Sequence, residues 1–299
     1  MTDVSTPAAE SDDRVDEHPA QPNGQKTNRN VAKLGVAKWK TALITGASSG
    51  IGYELAKLFA SEGHSVMLVA RSKETLEKFA RQLRETHSIN AWSFPIDLSN
   101  PTAPSQIYEF AQRESLLVDS LVNDAGFGAA GPFSETDVKT QLEMMQVNVI
   151  SLVHLTRLFL PDMLQRKEGR ILNLASMAAF VPGPFMAVYY ATKVFVLSFS
   201  EALANELKGS GVTVTALCPG PTRTAFEKNP GVGRTRLFRQ RGVGVMGAEA
   251  VALAGYRGLM NGETVVIPGL KNKVTRVLAK LAPRSVAVRA ARRLNESAV

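Results

Sequence analysis

From about residue 40 the chain alternates short apolar, β-branched runs with longer segments whose apolar positions recur at helical spacing. The runs "KTALITG", "HSVMLVAR", "AWSFPIDL", "VDSLVND", "GRILNLAS", "VTVTALCP" and "ETVVIPG" predict seven strands. "GYELAKLFASEG" predicts the first helix, stopped by Gly63. Further helices are predicted for "KETLEKFARQLRET", "PSQIYEFAQRE", a long pattern over roughly 137–167, "AVYYATKVFVLSFSEALANELKG" and "AEAVALAGYRGLM". Strands that are apolar throughout are buried on both faces, and helices between them act as crossovers joining parallel neighbours. The expected fold is a single-domain, doubly wound α/β structure on a seven-stranded parallel sheet, without internal repeats. No run of about 18 apolar residues occurs, so no membrane-spanning helix is expected.

The two ends differ from this pattern and from each other. Residues 1–37 are polar, acidic and rich in Pro and Ala, and are expected to form a disordered tail. They are too acidic for a transit peptide and lack the apolar core of a secretory signal. The α/β domain is expected over residues 38–270. In the last stretch, 271–299, Lys271, Lys273, Arg276, Lys280, Arg284, Arg289, Arg292 and Arg293 meet no acid until Glu296, while Val274, Val277, Leu278 and Leu281 form one apolar stripe up to Pro283. Two readings follow: a helix packed on the domain with its basic face in water, or a peripheral contact with an anionic membrane.

Composition narrows the partners. A 44% hydrophobic, 21% charged chain can bury a full core. The net charge of +8 is not interleaved with exposed aromatics, so no nucleic-acid surface is expected. Cys218 is the only cysteine, which excludes an internal disulfide and suits a reducing cytoplasm. The four histidines lack metal-ligand spacing, and no metal is expected.

Doubly wound sheets bind ligands beyond the carboxyl ends of their strands. The first such end carries "TGASSGIG", residues 45–52. Gly46 permits the turn, Gly50 lets backbone approach a phosphate, Gly52 allows close helix–strand packing, and the helix start offers free N–H groups to a pyrophosphate. Farther on, "AVYYATK" sets Tyr189 and Tyr190 four and three residues before Lys193. Both spacings share a helix face, so geometry alone leaves the partner of Lys193 open.

The T-G-x-x-x-G-x-G spacing resembles that of the short-chain dehydrogenase/reductase family, in its subgroup of about 250 residues, and the likeness extends over residues 40–270 of this Rossmann-type chain. "NDAG" at 123–126 is similar to the family's N-N-A-G, with Asp124 replacing its second asparagine; "PGPT" at 219–222 looks like its P-G loop. The family's Y-x-x-x-K selects Tyr189 as the acid/base, with Lys193, Ser176 and Asn148 completing the catalytic set. For the cofactor the resemblance implies Gly46, Ser48, Ser49, Gly50, Ile51, Gly52, Arg71, Asp97, Leu98, Asn123, Ala125, Gly126, Tyr189, Lys193, Pro219, Gly220 and Thr222. A carbonyl accepting a hydride must be protonated, and a tyrosine of reference pKa near 10 needs help at neutral pH. Lys193 is expected to lower it while holding the nicotinamide ribose, Ser176 to meet the carbonyl oxygen, and Asn148 to hold a water linking Lys193 to solvent.

Arg71 ends the second strand where an acid would grip the free ribose of NAD, so NADP(H) is expected, and with it net carbonyl reduction where that pool is kept reduced. The substrate is expected to be an apolar, acyl- or lipid-like carbonyl or alcohol, lined by Ser176, Phe180, Phe185 and Phe226 and covered by a lid over about 221–247. Arg234, Arg236, Arg239 and Arg241 in that lid read either as a solvated face or as a contact for an acidic carrier. Relatives pair through the long helices, here 137–167 and 187–208, so the resemblance implies a homodimer or homotetramer. The rival readings are an NADP-sensing scaffold without turnover and an epimerase or dehydratase of the longer branch.

Overall fold

Alternate residues of β1 (Thr41–Thr45) leave the sheet on opposite faces: Ala42 and Ile44 enter one core, Leu43 the other, and all three are fully buried. A strand covered on both sides can carry no polar alternation, which is why it reads as a continuous apolar run. The computed structural model describes residues 40–239 and 244–296. The expected acidic tail, Arg241 and the side chain of Arg239 lie outside the described residues.

The chain proceeds through α1 (Gly50–Ser61), β2 (Ser65–Ala70), α2 (Lys73–His87), β3 (Ala91–Pro95), α3 (Ala103–Arg113), β4 (Val118–Asn123), α4 (Val138–Met145) and α5 (Ser151–Arg166). It continues with β5 (Gly169–Leu174), α6 (Ala187–Glu206), β6 (Val212–Leu217), β7 (Thr222–Arg223), α7 (Arg236–Arg239), β8 (Met246–Gly247), α8 (Ala248–Met260), β9 (Val265–Val266), α9 (Leu270–Leu281) and α10 (Arg284–Asn295). Seven strands form one parallel sheet in the order β3-β2-β1-β4-β5-β6-β9. One face carries α1, α2 and α8; the other carries α3, α5 and α6. β9 is shorter than its sequence run, because Pro268 has no amide proton and Gly269, at φ +82°, turns the chain into α9. The small parallel pair β7–β8 was not expected.

By length and composition alone, the segment Val138–Arg166 is apolar enough to cross a bilayer. Its inner face nevertheless packs Leu155, Phe159 and Met163 under the sheet, as a core helix does. Asp137 caps it by accepting the Thr140 N–H at 2.8 Å, and the helix widens to a π turn over Gln146–Ile150, a rare distortion that clusters at functional sites. Its outer face leaves Leu142, Met145 and Ile150 exposed beside Val194 and Phe195 of α6.

α10 is tied to α6 by a buried link. The Tyr190 hydroxyl donates to Asn295 Oδ1 at 3.1 Å, and Asn295 Nδ2 donates to the Pro184 carbonyl at 3.0 Å. The Tyr190 ring lies against Gly183, where any side chain would collide with it. Tyr190→Phe keeps the ring but strands a buried acceptor, so it should lower stability by about 1–3 kcal/mol in urea denaturation; an unchanged midpoint would show that α10 does not depend on this bond.

Candidate active site

The carboxyl ends of the central strands open into one cavity of about 1120 Å³, beyond the roughly 300–1,000 Å³ of ordinary small-molecule sites. It has room for two ligands. At one end the β1–α1 turn presents Gly46, Ser48, Ser49, Gly50 and Ile51. Gly46 and Gly50 hold φ of +72° and +63°, which suit glycine alone. Ser49 begins α1 without a side-chain cap, so its hydroxyl takes none of the first-turn amides. Arg71, exposed at the end of β2, borders the same space with Asp97 and Leu98. Asp97 is shaped by accepting the Ser99 N–H at 2.9 Å, and the Leu98 carbonyl is fixed by Ser151 Oγ at 2.9 Å. These groups fit a pyrophosphate at the helix start and a further phosphate beside Arg71.

At the other end stand Ser176, Tyr189 and Lys193. Ser176 follows β5; its Oγ accepts the Ala178 N–H at 3.1 Å, and its hydroxyl is close enough to Tyr189 to act on it electrostatically. The two tyrosines therefore separate: Tyr189 faces Ser176, whereas Tyr190 is spent on Asn295. Lys193 Nζ lies 5.8 Å from the Tyr189 ring centre and donates to the Leu174 carbonyl at 2.6 Å. Pro219, Gly220 and Thr222 close this side, the Pro219 carbonyl accepting the Met177 N–H at 2.8 Å and Thr222 Oγ1 donating to the Gly220 carbonyl at 2.9 Å.

Burial dominates the electrostatics. It lowers Lys193 to about 8, opposed by Asp124 and Cys218. It raises the Tyr189 phenol above its usual 10, opposed by the Ser176 hydroxyl. The Lys193 amine is directed to the Leu174 carbonyl, and the groups acting on Tyr189 are its burial, Ser176 and Tyr190. Asp124, also buried, is raised to about 7 against the pull of Lys193 and the Gly52 N–H. Its Oδ1 has no partner.

Four expected site residues stand off the cavity. Asn148 is buried, with Oδ1 accepting the Phe127 N–H at 3.1 Å and Nδ2 donating to the Phe127 carbonyl at 2.9 Å and Thr192 Oγ1 at 3.1 Å. These bonds fix its side chain between the Phe127 loop and α6. Asn123 belongs to the core, donating to Asn173 Oδ1 at 2.9 Å. Gly52 packs beneath the turn against Asp124. Phe185 turns away into a small neighbouring pocket, at φ +65°, under the Arg292 guanidinium 4.8 Å away. Ala125, Gly126, Phe180 and Phe226 do line the cavity, and the Phe226 ring lies 5.2 Å from that of Tyr189. Leu237 and Phe238 join them from the expected lid, while Val245 does not. Sequence reasoning missed the contribution of α9 and α10: Asn272, Thr275, Ala279, Val286 and Leu294 form a wall. Its only signal was the helical pattern, which says nothing about what a helix covers.

The sequence model described as short chain dehydrogenase matches residues 40–232. A ketoacyl reductase, HetN, of a Nostoc species is 32% identical over 243 residues, covering 81% of this chain and 82% of that protein. A very-long-chain 3-oxoacyl-CoA reductase of Anas platyrhynchos is 36% identical over 203 residues, or 66% of this chain and 64% of its own length. Among solved structures, a short-chain dehydrogenase from Sphingobium yanoikuyae in complex with NADPH superposes with a TM-score of 0.71 at 30% identity, over 82% of this chain and 97% of that one.

Asp124 makes a pH prediction. Its folded pKa of about 7 exceeds that of an unfolded carboxyl, so the folded state holds an extra proton between them and loses stability as pH rises through that window. The stability of Asp124→Asn relative to the parent should therefore grow by up to about 3 kcal/mol from pH 5 to pH 8 in denaturant titrations. A gap constant with pH would mean that Asp124 ionises normally.

Proposed function

The chain belongs to the short-chain dehydrogenase family and is an oxidoreductase, and we propose that it is an NADP(H)-dependent reductase of apolar, acyl- or lipid-like carbonyls. One observation carries this reading: a single cavity joins an uncapped helix start and Arg71 at one end to Ser176, Tyr189 and Lys193 at the other. The bound nicotinamide would supply the hydride. Ser176 then meets the carbonyl oxygen with its hydroxyl, and Tyr189 gives that oxygen its proton as negative charge develops. Lys193 stands next in line to replace the proton. A buried amine lowered to about 8 passes protons near neutral pH more readily than an ordinary lysine.

The remaining wall supports the substrate class. Met177, Phe180, Val181, Met186, Phe226 and Phe238 offer an apolar surface with few polar groups. The names of the Nostoc and Anas relatives point the same way. The exposed apolar residues of α4, α5 and α6 support a homodimer or homotetramer paired through these helices. Of the lid arginines, Arg234 is exposed and Arg236 half-buried, and neither lines the cavity.

Tyr189→Phe should cut kcat by about 10²–10⁴ with NADPH binding retained, read by NADPH oxidation with a panel of apolar ketones and by fluorescence titration. Full activity in that variant would sink the assignment. Arg71→Asp should reduce the NADP-over-NAD preference by about tenfold or more, in kcat/KM measured with both cofactors. An unmoved ratio would remove Arg71 from the cofactor site.

A further inference from the structure

The apolar stripe of α9 points away from the protein. Asn272 and Ala279, seven residues apart and so on one face, are the only half-buried positions of this helix, and none is fully buried. Val274 and Leu281 each stand two residues farther on, about 200° round the helix, on the opposite side. There Leu270, Val274, Val277, Leu278 and Leu281 are between 50% and 77% exposed. A helix packed by its apolar face would bury that face; α9 instead rests on the domain by Asn272 and Ala279 and leaves the stripe outside. Lys271 flanks the stripe on one side and Lys273 and Lys280 on the other, all exposed. α10 adds the exposed Arg284, Arg289 and Arg293, whereas Arg292 is paired with Glu296 at 3.1 Å, and no acid intervenes between Glu263 and Glu296.

We propose that α9 and α10 dock the protein on an anionic lipid bilayer, with the α9 stripe entering the headgroup boundary and the flanking lysines meeting lipid phosphates. An apolar ridge bordered on both sides by cations matches such a surface in both polarity and charge. A second copy of this chain would bring the same cations against these. A nucleic acid would leave the ridge unused. Leu278 and the 45%-exposed Val286 belong both to this outer surface and to the lining of the cavity, so the cavity opens where the bilayer would lie. An apolar substrate could then pass from lipid into the cavity without crossing water. That last step rests on the proposed substrate class; the docking itself does not.

The test is sedimentation of the full chain with phosphatidylcholine vesicles, with and without roughly one-third phosphatidylglycerol. Binding is expected to the anionic vesicles only, and to weaken about tenfold or more between low and high salt, as screening of several cations requires. Two paired variants should fall to the level seen with neutral vesicles: Lys273→Glu with Lys280→Glu, and Val274→Asp with Leu281→Asp. All four positions are exposed and off the cavity, so NADPH-linked reduction of a short, water-soluble ketone should be unchanged in both pairs. Vesicle binding without any turnover would uphold the docking and count against the proposed reaction alone. The proposal is overturned if the parent stays in the supernatant with anionic vesicles at low salt, or binds neutral vesicles equally. It is also overturned if either pair binds like the parent, or if the stripe pair runs as a smaller oligomer by light scattering, which would make the stripe a contact between copies.

Discussion

Between β1 and β4, where the winding of the sheet reverses, there is no room for one more methyl group. A side chain at Gly46 or Gly52 would come within 2.8 or 2.5 Å of Asp124 Oδ2. The turn after β1 is thus pressed onto the end of β4, and Thr45 locks the two: its hydroxyl donates to the Val122 carbonyl at 3.2 Å and accepts the N–H groups of Asp124 and Ala125, each at 3.1 Å. That contact aims the start of α1 into the cavity. It also buries Asp124 within electrostatic reach of Lys193. Phosphate-facing amides and proton-handling side chains are brought to one place by the same close packing.

The polar groups around this point are held by one another. Asn123 reaches Asn173, Asn173 donates to Ser200 at 3.0 Å, and the three residues tie β4, β5 and α6 beneath the cavity floor. Asn148 staples the Phe127 loop to α6 through Thr192. Such networks are costly to leave half-made, so they fix α6 in rotation as well as in place. The rotation matters, because it decides which of two adjacent tyrosines faces Ser176.

How much of this could be read from the chain depended on the range of the interaction. Strands buried on both faces announce themselves locally, and all seven were legible, as were the glycine turn, Arg71 and the Ser176, Tyr189 and Lys193 set. The errors came from contacts made at a distance. Phe185 sits in an apolar run beside true cavity residues, but its left-handed backbone and Arg292, more than a hundred residues on, turn it elsewhere. Asn148 was legible as a site residue, but its bonds to Phe127 and Thr192, which join a loop to α6, were not. Sequence spacing brings Lys193 near Tyr189, whereas the direction of its amine is set by the Leu174 carbonyl, a contact with β5 that spacing does not show. The stripe on α9 was visible; whether it faced the protein or the solvent was not.

The last two helices bury very little: none of α9, and of α10 only Ala291 and Asn295. They hang on a few contacts, chiefly the Tyr190 bond and the Arg276 and Arg292 guanidinium groups over Phe180 and Phe185. Elements with so little buried surface open at a smaller free-energy cost than the sheet beneath them. Because they form one wall of the cavity, the least firmly held part of the molecule is the part that shapes the space for a guest, whereas the glycine turn and Ser176, Tyr189 and Lys193 rest on the sheet.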